Sequence, residues 1–268
     1  MLYFPPAKIN LGLHVIEKRA DGFHNLETVF YPVKLSDVLE VLPHPSTEFK
    51  LSGITIEGSA YDNLCMKAYH LLKADFDIPP VYMQLHKIIP MGAGLGGGSA
   101  DAAFVLKALD SEFKLSIGKQ RLKEYAARLG SDCAFFIENR PAIATGRGEI
   151  LNPIDLNLTG YYLVLVKPDI HIGTAEAYSG IIPRKPAQSL ADIISSPVNV
   201  WRQSLVNDFE TNLFKNYPQI AAIKQKLYDL GALYAAISGS GSTVFGLFTE
   251  STDVSPYFSG CFIYCETI

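Results

Sequence analysis

The chain has 268 residues, 48% of them hydrophobic and 19% charged, with a formal net charge of −4. That is the balance of a globular protein of one large domain or two modest ones, not of a disordered chain. The mildly acidic total excludes a broad electrostatic footprint for nucleic acid, while a locally positive site can still take a small anion.

The opening stretch, MLYFPPAKIN, has no basic region followed by an apolar run, so no signal peptide is expected. No segment approaches the 18 apolar residues of a membrane span, and YYLVLV at 161–166 has the length of a core strand. Residues 8–15, KINLGLHV, alternate. Ile9, Leu11, Leu13 and Val15 share one face and Lys8, Asn10, Gly12 and His14 the other, which is the pattern of a half-buried strand. Asp21-Gly22 reads as a turn and residues 26–33 as the returning strand, with Phe23 and His24 in the connection. In DNLCMKAYHLLKADF, apolar positions at 64, 68, 71 and 72 form a helical stripe, capped by Asp62 or Asn63. VYMQLHKIIP alternates again, with Val81, Met83 and Leu85 on one face.

A glycine-rich loop and a helix follow, with Ser99 or Asp101 expected as the cap and Ala100, Ala102 and Ala103 keeping the first turn slim. QRLKEYAARLG is a helix stopped at Gly130, and Asp132 lies just past the stop. AIATGRGEIL is a hairpin around Gly146 to Gly148, and residues 151–158 read as a seam. The second half opens on the strand YYLVLVKP and crosses a Pro- and Ser-rich stretch at 183–197, then helices near 200–230. It closes on LYAAISGSGSTVFGLF, two strands joined by a second Gly/Ser loop. Strands and helices mix without a regular alternation, so the expected class is α+β. Cysteines at 65, 133, 261 and 265 show no second pair at zinc spacing and read as buried, reduced thiols.

PMGAGLGGGSADAA, residues 90–103, places five glycines in the seven positions from Gly92 to Gly98. Each costs entropy on folding, so the loop is shaped for a purpose. The dinucleotide fingerprint G-x-G-x-x-G matches at Gly92, Gly94 and Gly97. Its context does not, because the strand before it alternates and no acidic residue follows at the required distance. The P-loop pattern is met at Gly92, Gly97 and Ser99, but position 98 is Gly where lysine is required. Common to these loops are backbone N–H groups free to approach a polyanion and the positive end of a helix. With no loop lysine, cationic or acid–base help must come from elsewhere in the chain.

PMGAGLGGGSADAA resembles the P-x-G-x-G-L-G-S/G-S-S/A ATP loop of the GHMP small-molecule kinases. PAKINLGLHVIEKRADGFHNLETVF resembles the opening of the branch of that family whose acceptor is a cytidine diphosphate-linked methylerythritol. The combination of K-I-N and D-G-F-H sets that branch apart. LGSDCAFF followed by ATGRGEIL resembles the catalytic-aspartate segment and the hairpin after it, and SGSGSTVFG the C-terminal glycine motif.

The resemblance implies an α+β, two-domain GHMP-kinase fold. Residues 1–155 would form an N-terminal ribosomal-S5-domain-2-like ATP-binding domain, and 156–268 a C-terminal ferredoxin-like α/β-plait domain. It implies ATP-dependent phosphorylation of the acceptor's 2-hydroxyl in the non-mevalonate isoprenoid route. The partner would be this small molecule, with no nucleic acid and no membrane. The protein would be cytoplasmic, a monomer or weak homodimer.

Residue by residue, the resemblance seats ATP on Pro90, Met91, Gly92, Ala93, Gly94, Leu95, Gly96, Gly97, Gly98, Ser99 and Ala100, with Asn63, Leu64 and Lys87 near the adenosine. It makes Asp132 the general base and Lys8 its partner. On its own, an aspartate after a helix stop is a turn residue and a lysine is a solvated one. Asn10, Phe23, His24, Thr174 and Tyr178 would hold the acceptor, with Phe23 and His24 in the segment that recognises the cytosine edge and Tyr178 stacking on the base. The family often has Tyr where Phe23 stands, and A-D-V-P where this chain reads S-D-C-A. Mg²⁺ would accompany ATP. Ser99 is a candidate ligand for it, and no carboxylate cluster announces a dedicated metal site. Two other readings remain open at this point: a homoserine- or mevalonate-type specificity, and an ATP-binding sensor without turnover.

Overall fold

The structure, a computed structural model, describes residues 1–55 and 62–268. The contacts divide it into two compact units that interleave in sequence. Met1–Lys8, Pro32–Met91 and Gly96–Arg140 form one, and Ile9–Tyr31, Gly92–Leu95 and Pro141–Ile268 the other. A cut at 155/156 divides the chain; these units divide its contacts, and the second draws two segments from the N-terminal half.

Two long strands, β2 (Pro6–Lys18) and β3 (His24–Ser36), follow the two-residue β1 (Leu2–Tyr3). The first unit is built on a mixed sheet. Its order is β1, then β4 (Val38–Pro43), β6 (Val81–Lys87) and β5 (Glu48–Gly53). β6 runs antiparallel to β4 and parallel to β5. The strand preceding the glycine loop is thus not the central strand of a parallel sheet, in keeping with the failed dinucleotide match. Its alternation buries Val81, Met83 and Leu85, while Gln84 is half-buried and His86 exposed.

Helix α1 (Leu64–Lys73) is capped by Asn63, whose side-chain oxygen accepts from Cys65 N at 2.9 Å. α2 (Gly97–Glu112) packs on β4 and against α1 and α3 (Lys119–Leu129). The start of α2 differs from expectation. Its N-cap is Gly96, at φ +71°, so the helix begins inside the glycine run and Ser99 and Asp101 lie within it. A left-handed residue turns the chain into the helix there, a conformation that suits glycine rather than a capping side chain. α3 stops at Gly130 as expected, followed by a turn and the short α4 (Phe135–Glu138).

In the second unit, β7 (Ala142–Thr145) and β8 (Ile150–Pro153) form the expected hairpin, and the sheet order is β2-β3-β7-β8. The second sheet has the order β10-β11-β9-β12, from β9 (Tyr162–Lys167), β10 (Tyr234–Ile237), β11 (Val244–Phe248) and β12 (Phe262–Thr267). Every neighbour is antiparallel. That is the strand order of a ferredoxin-like split βαβ plait. Between β9 and β10 run α5 (Thr174–Ser179), α6 (Leu190–Ile194), α7 (Trp201–Ser204), α8 (Glu210–Asn216) and α9 (Pro218–Asp229). Between β11 and β12 the plait's second helix is reduced to a 3₁₀ turn, Ser255–Tyr257. Val164, Val166, Leu213, Ile220, Leu227 and Ile237 centre its core.

β2 corrects the expected half-buried strand. Both of its faces are buried from Pro6 to Val15, with Lys8 and Asn10 each 2% exposed. The polar face survives burial because its groups are partnered within their own units: Lys8 by Asp132, Asn10 by Thr28 and His14 by Asp208. A buried polar group without such a partner costs free energy.

Candidate functional site

The glycine loop alternates two kinds of residue. Gly92, Gly94 and Gly96 hold φ of +58°, +73° and +71°, while Ala93 and Leu95 between them are buried anchors. A methyl group on Gly94 would stand 1.9 Å from the Ser238 carbonyl oxygen, so only glycine fits. The second Gly/Ser loop is strapped to this turn within the second unit. Ser238 Oγ donates to Gly94 O at 2.7 Å, and Thr243 N donates to Ala93 O at 3.2 Å. Asn10 N donates to Ser238 Oγ at 3.3 Å, and Asn207 Nδ2 donates to Ile237 O and Gly239 O at 2.9 and 2.8 Å. Ser238 and Asn207 were not singled out by sequence reasoning. Their partners lie far along the chain; the second loop's composition signalled Ser238, and no local signal marked Asn207.

In the first unit, α2 makes its first intrahelical bond from Ala100 N to Gly96 O at 2.9 Å. The N–H groups of Gly97, Gly98 and Ser99 therefore have no acceptor within the helix, and the positive helix end gathers there. Lys8 Nζ lies 3.3 Å from Asp132 Oδ2, with the lysine side chain 3% and the aspartate 32% exposed. A methyl on Gly96 would come within 3.1 Å of Lys8 Cε, so the lysine stem runs along the helix start. Asp132 is presented by the turn after α3, closed by Cys133 N to Gly130 O and Phe135 N to Asp132 O, both at 3.2 Å. The departure from A-D-V-P has a local account. The Cys133 thiol is buried and hydrogen-bonded to Ser99, and burial pushes it up to about 12, so it is packing rather than a nucleophile.

Leu64 reaches α2 as well, its Cδ1 3.8 Å from where a methyl on Gly98 would stand. Lys87, expected near the adenosine, is instead buried behind the loop. Its ammonium lies 2.5 Å from Asp37 Oδ2 and 2.8 Å from Asp101 Oδ2. Asp37 Oδ1 in turn accepts from Ile88 N and Ile89 N at 2.6 and 2.9 Å. Two carboxylates competing for one lysine draw its side chain into the core. Burial, opposed by Lys87 and reinforced by Asp37, pushes the Asp101 carboxyl up to about 7.

The aromatic residues expected at the acceptor cluster in the second unit. His24 stacks on Tyr178 with centroids 4.8 Å apart and planes at 18°, and Tyr178 sits edge-on to Phe209. Burial, with Lys18 nearby, lowers the His24 pKa, so its imidazole is neutral at neutral pH. Phe23 is exposed, and the Arg147 guanidinium covers its ring at 5.1 Å. Thr174 is the first residue of α5, one turn before Tyr178. Asn10 Nδ2 donates to Thr28 Oγ1 at 2.9 Å, facing away from bulk solvent. All four cysteines are free, two buried and two half-buried. Among the described residues, no group of three or more His, Cys, Asp or Glu is placed to hold a metal, and no helix is long and apolar enough to cross a membrane.

Two family models match the chain. The GHMP kinases N terminal domain matches residues 63–140, and GHMP kinases C terminal matches 199–255. The chain is 54% identical to a 4-diphosphocytidyl-2-C-methyl-D-erythritol kinase of Bacteroides fragilis, over 95% of this chain and 94% of that one. It is 50% identical to the enzyme of the same name from Parabacteroides distasonis, over 98% of each. A solved 4-(cytidine 5'-diphospho)-2C-methyl-D-erythritol kinase superposes with a TM-score of 0.79 at 35% identity, covering 92% of this chain and 90% of that one. An L. major mevalonate kinase, at TM-score 0.66 and 15% identity over 97% of this chain and 95% of its own, shares the fold. The chain belongs to the GHMP kinase family.

Proposed function

We propose that this kinase transfers the γ-phosphoryl group of ATP to the 2-hydroxyl of 4-diphosphocytidyl-2-C-methyl-D-erythritol, giving the 2-phosphate and ADP in the non-mevalonate route to isoprenoid precursors. The observation that carries the reading is the Lys8–Asp132 pair, 3.3 Å apart, with the lysine stem against the first glycine of a phosphate-type helix start. Phosphoryl transfer asks a protein for alignment and charge neutralisation more than for covalent chemistry.

Asp132 is the base that takes the acceptor's hydroxyl proton, and its partial exposure leaves it within reach of a substrate. Lys8 holds the carboxylate in place and lies beside the phosphate seat. The N–H groups of Gly97, Gly98 and Ser99 take phosphate oxygens, and the turn from Pro90 to Leu95 shapes the approach. Leu64 and Asn63 flank the nucleoside; Lys87 acts from behind through its carboxylates. Mg²⁺ enters with ATP as part of that substrate, its charge offsetting the phosphates. Asn10, buried and bonded to Thr28, is assigned to the acceptor as a positioning residue. His24, kept neutral, is suited to a hydrogen bond on the cytosine edge, and Phe23, Tyr178 and Thr174 frame the base. Phe23 carries no hydroxyl, so it contributes a ring face alone. We read 1–155 and 156–268 as the sequence domains and the protein as a cytoplasmic monomer or weak homodimer.

The test is ADP release by the purified protein with ATP and the cytidyl acceptor. Turnover is expected, with kcat lowered about 10²- to 10⁴-fold in Asp132→Asn, the usual contribution of a positioned base. No ADP release at millimolar acceptor removes the reading, and near wild-type kcat in Asp132→Asn removes the base.

A further inference from the structure

Gly98 stands where a P-loop has its lysine, and Lys87 is consumed by two buried carboxylates. The phosphate chain of ATP therefore lacks a cation from the loop's own sequence. Another segment comes to the loop within the second unit. A methyl on Gly92 would stand 2.5 Å from His171 Nδ1 and 2.6 Å from its Cε1, so the imidazole occupies the space a side chain there would need.

The placement of His171 is fixed on both sides. Ser242 Oγ donates to Ile170 O at 2.6 Å, and Ile172 is buried, its Cδ1 3.2 Å from a methyl built on Gly241. Ser242 belongs to the same second loop whose Thr243 is bonded to Ala93. Segments 92–94, 170–172 and 238–243 thus form one local assembly. The imidazole itself is exposed, and the next glycine, Gly173, has open space where its side chain would be. The ring is thus held beside Gly92 by its own backbone while remaining open to an incoming ligand.

We infer that His171 is a further phosphate-contacting residue beside the Gly92–Leu95 part of the loop, adding from the 168–174 segment a side-chain N–H to the loop's backbone donors. The inference rests on the ATP-kinase reading above. An imidazole in either neutral tautomer presents one N–H, and that N–H suffices for a hydrogen bond to a phosphate oxygen. The ring's position over Gly92 also accounts for glycine at a position that the phosphate alone would not require to be bare.

Calorimetric titration of the full chain with ATP, ADP and adenosine tests it, beside steady-state kinetics. His171→Ala is expected to weaken ATP and ADP binding about threefold to tenfold, the range of one hydrogen bond, and to leave adenosine binding unchanged. KM for ATP rises by the same factor, while kcat and KM for the acceptor hold. His171→Gln, which keeps a donor, recovers part of the loss. Unchanged melting in both variants excludes a folding effect. ATP affinity equal to wild type in His171→Ala overturns the proposal, and so does an equal loss for adenosine. If wild-type protein binds ATP yet releases no ADP with the cytidyl acceptor, the functional reading fails, while the ATP-against-adenosine comparison still decides His171.

Discussion

At the scale of single residues, burial and partner decide which groups keep their chemistry for a substrate. Lys8 and Lys87 are both nearly inaccessible, yet they differ. Lys87 faces two carboxylates in a closed cluster, whereas Lys8 faces one that remains about a third exposed. Only the second arrangement leaves an oxygen for a substrate proton. The aromatic pair divides in the same manner. Tyr178 is braced edge-on by Phe209 and stacked by His24, so its position is set before any ligand arrives. Removing the ring held in this way should damage acceptor binding and little else. Tyr178→Ala is expected to raise KM for the cytidyl acceptor about tenfold, the order of base–aromatic stacking, with KM for ATP held. Initial-rate kinetics with each substrate varied in turn check this. A rise in both KM values would make Tyr178 a structural residue instead.

At the scale of elements, the glycine loop owes its shape to two different constraints, and substitutions separate them. Gly94 combines a left-handed backbone with a carbonyl oxygen 1.9 Å from any added methyl, while Gly98 has ordinary helical geometry and its nearest neighbour at 3.8 Å. Gly94→Ala must therefore displace the Ser238 loop, beyond the roughly 1–2 kcal/mol that a left-handed alanine costs. A lower melting temperature and lost ATP affinity are expected. Gly98→Ala should raise the melting temperature slightly, since alanine in a helix is favoured over glycine by up to about 1 kcal/mol. Differential scanning calorimetry of the two variants distinguishes them, and equal melting temperatures would contradict the account.

The same loop marks what a sequence can disclose. Its composition, the hairpin at Gly146, the helix stop at Gly130 and the alternation of β6 are local signals, and they were legible. The start of α2 was misjudged because Ser99 and Asp101 have capping chemistry that the backbone at Gly96 makes unnecessary. The burial of Lys8 and Asn10, the tie from Ser238 to Gly94 and the approach of His171 to Gly92 join segments far apart in the chain. Periodicity carries no information about such pairs.

At the scale of the whole molecule, the Lys87 cluster links three elements and gives stability a dependence on pH. It joins the β3–β4 junction at Asp37, the end of β6 at Lys87 and the second turn of α2 at Asp101. Two carboxylates share one ammonium, and Asp101 Oδ1 is buried with no hydrogen-bond partner. Burial raises Lys87's difficulty in staying charged, but Asp101 and Asp37 outweigh it and its pKa goes up. The Asp101 carboxyl, raised from 3.8 to about 7, then carries the excess proton. Between those two values the folded chain binds more protons at this position than the unfolded chain does. Its contribution to stability is complete below pH 4 and is lost as pH rises through about 7, at no more than about 1.4 kcal/mol per pH unit. Asp101→Asn removes the titration while keeping an oxygen for Lys87. The melting temperature of the variant should therefore gain on that of wild type between pH 5 and pH 8, whichever is higher at the start. Calorimetric melts of both proteins across that range measure the difference. A gap that stays constant with pH would mean that Asp101 is ionised throughout, its charge fully met by Lys87.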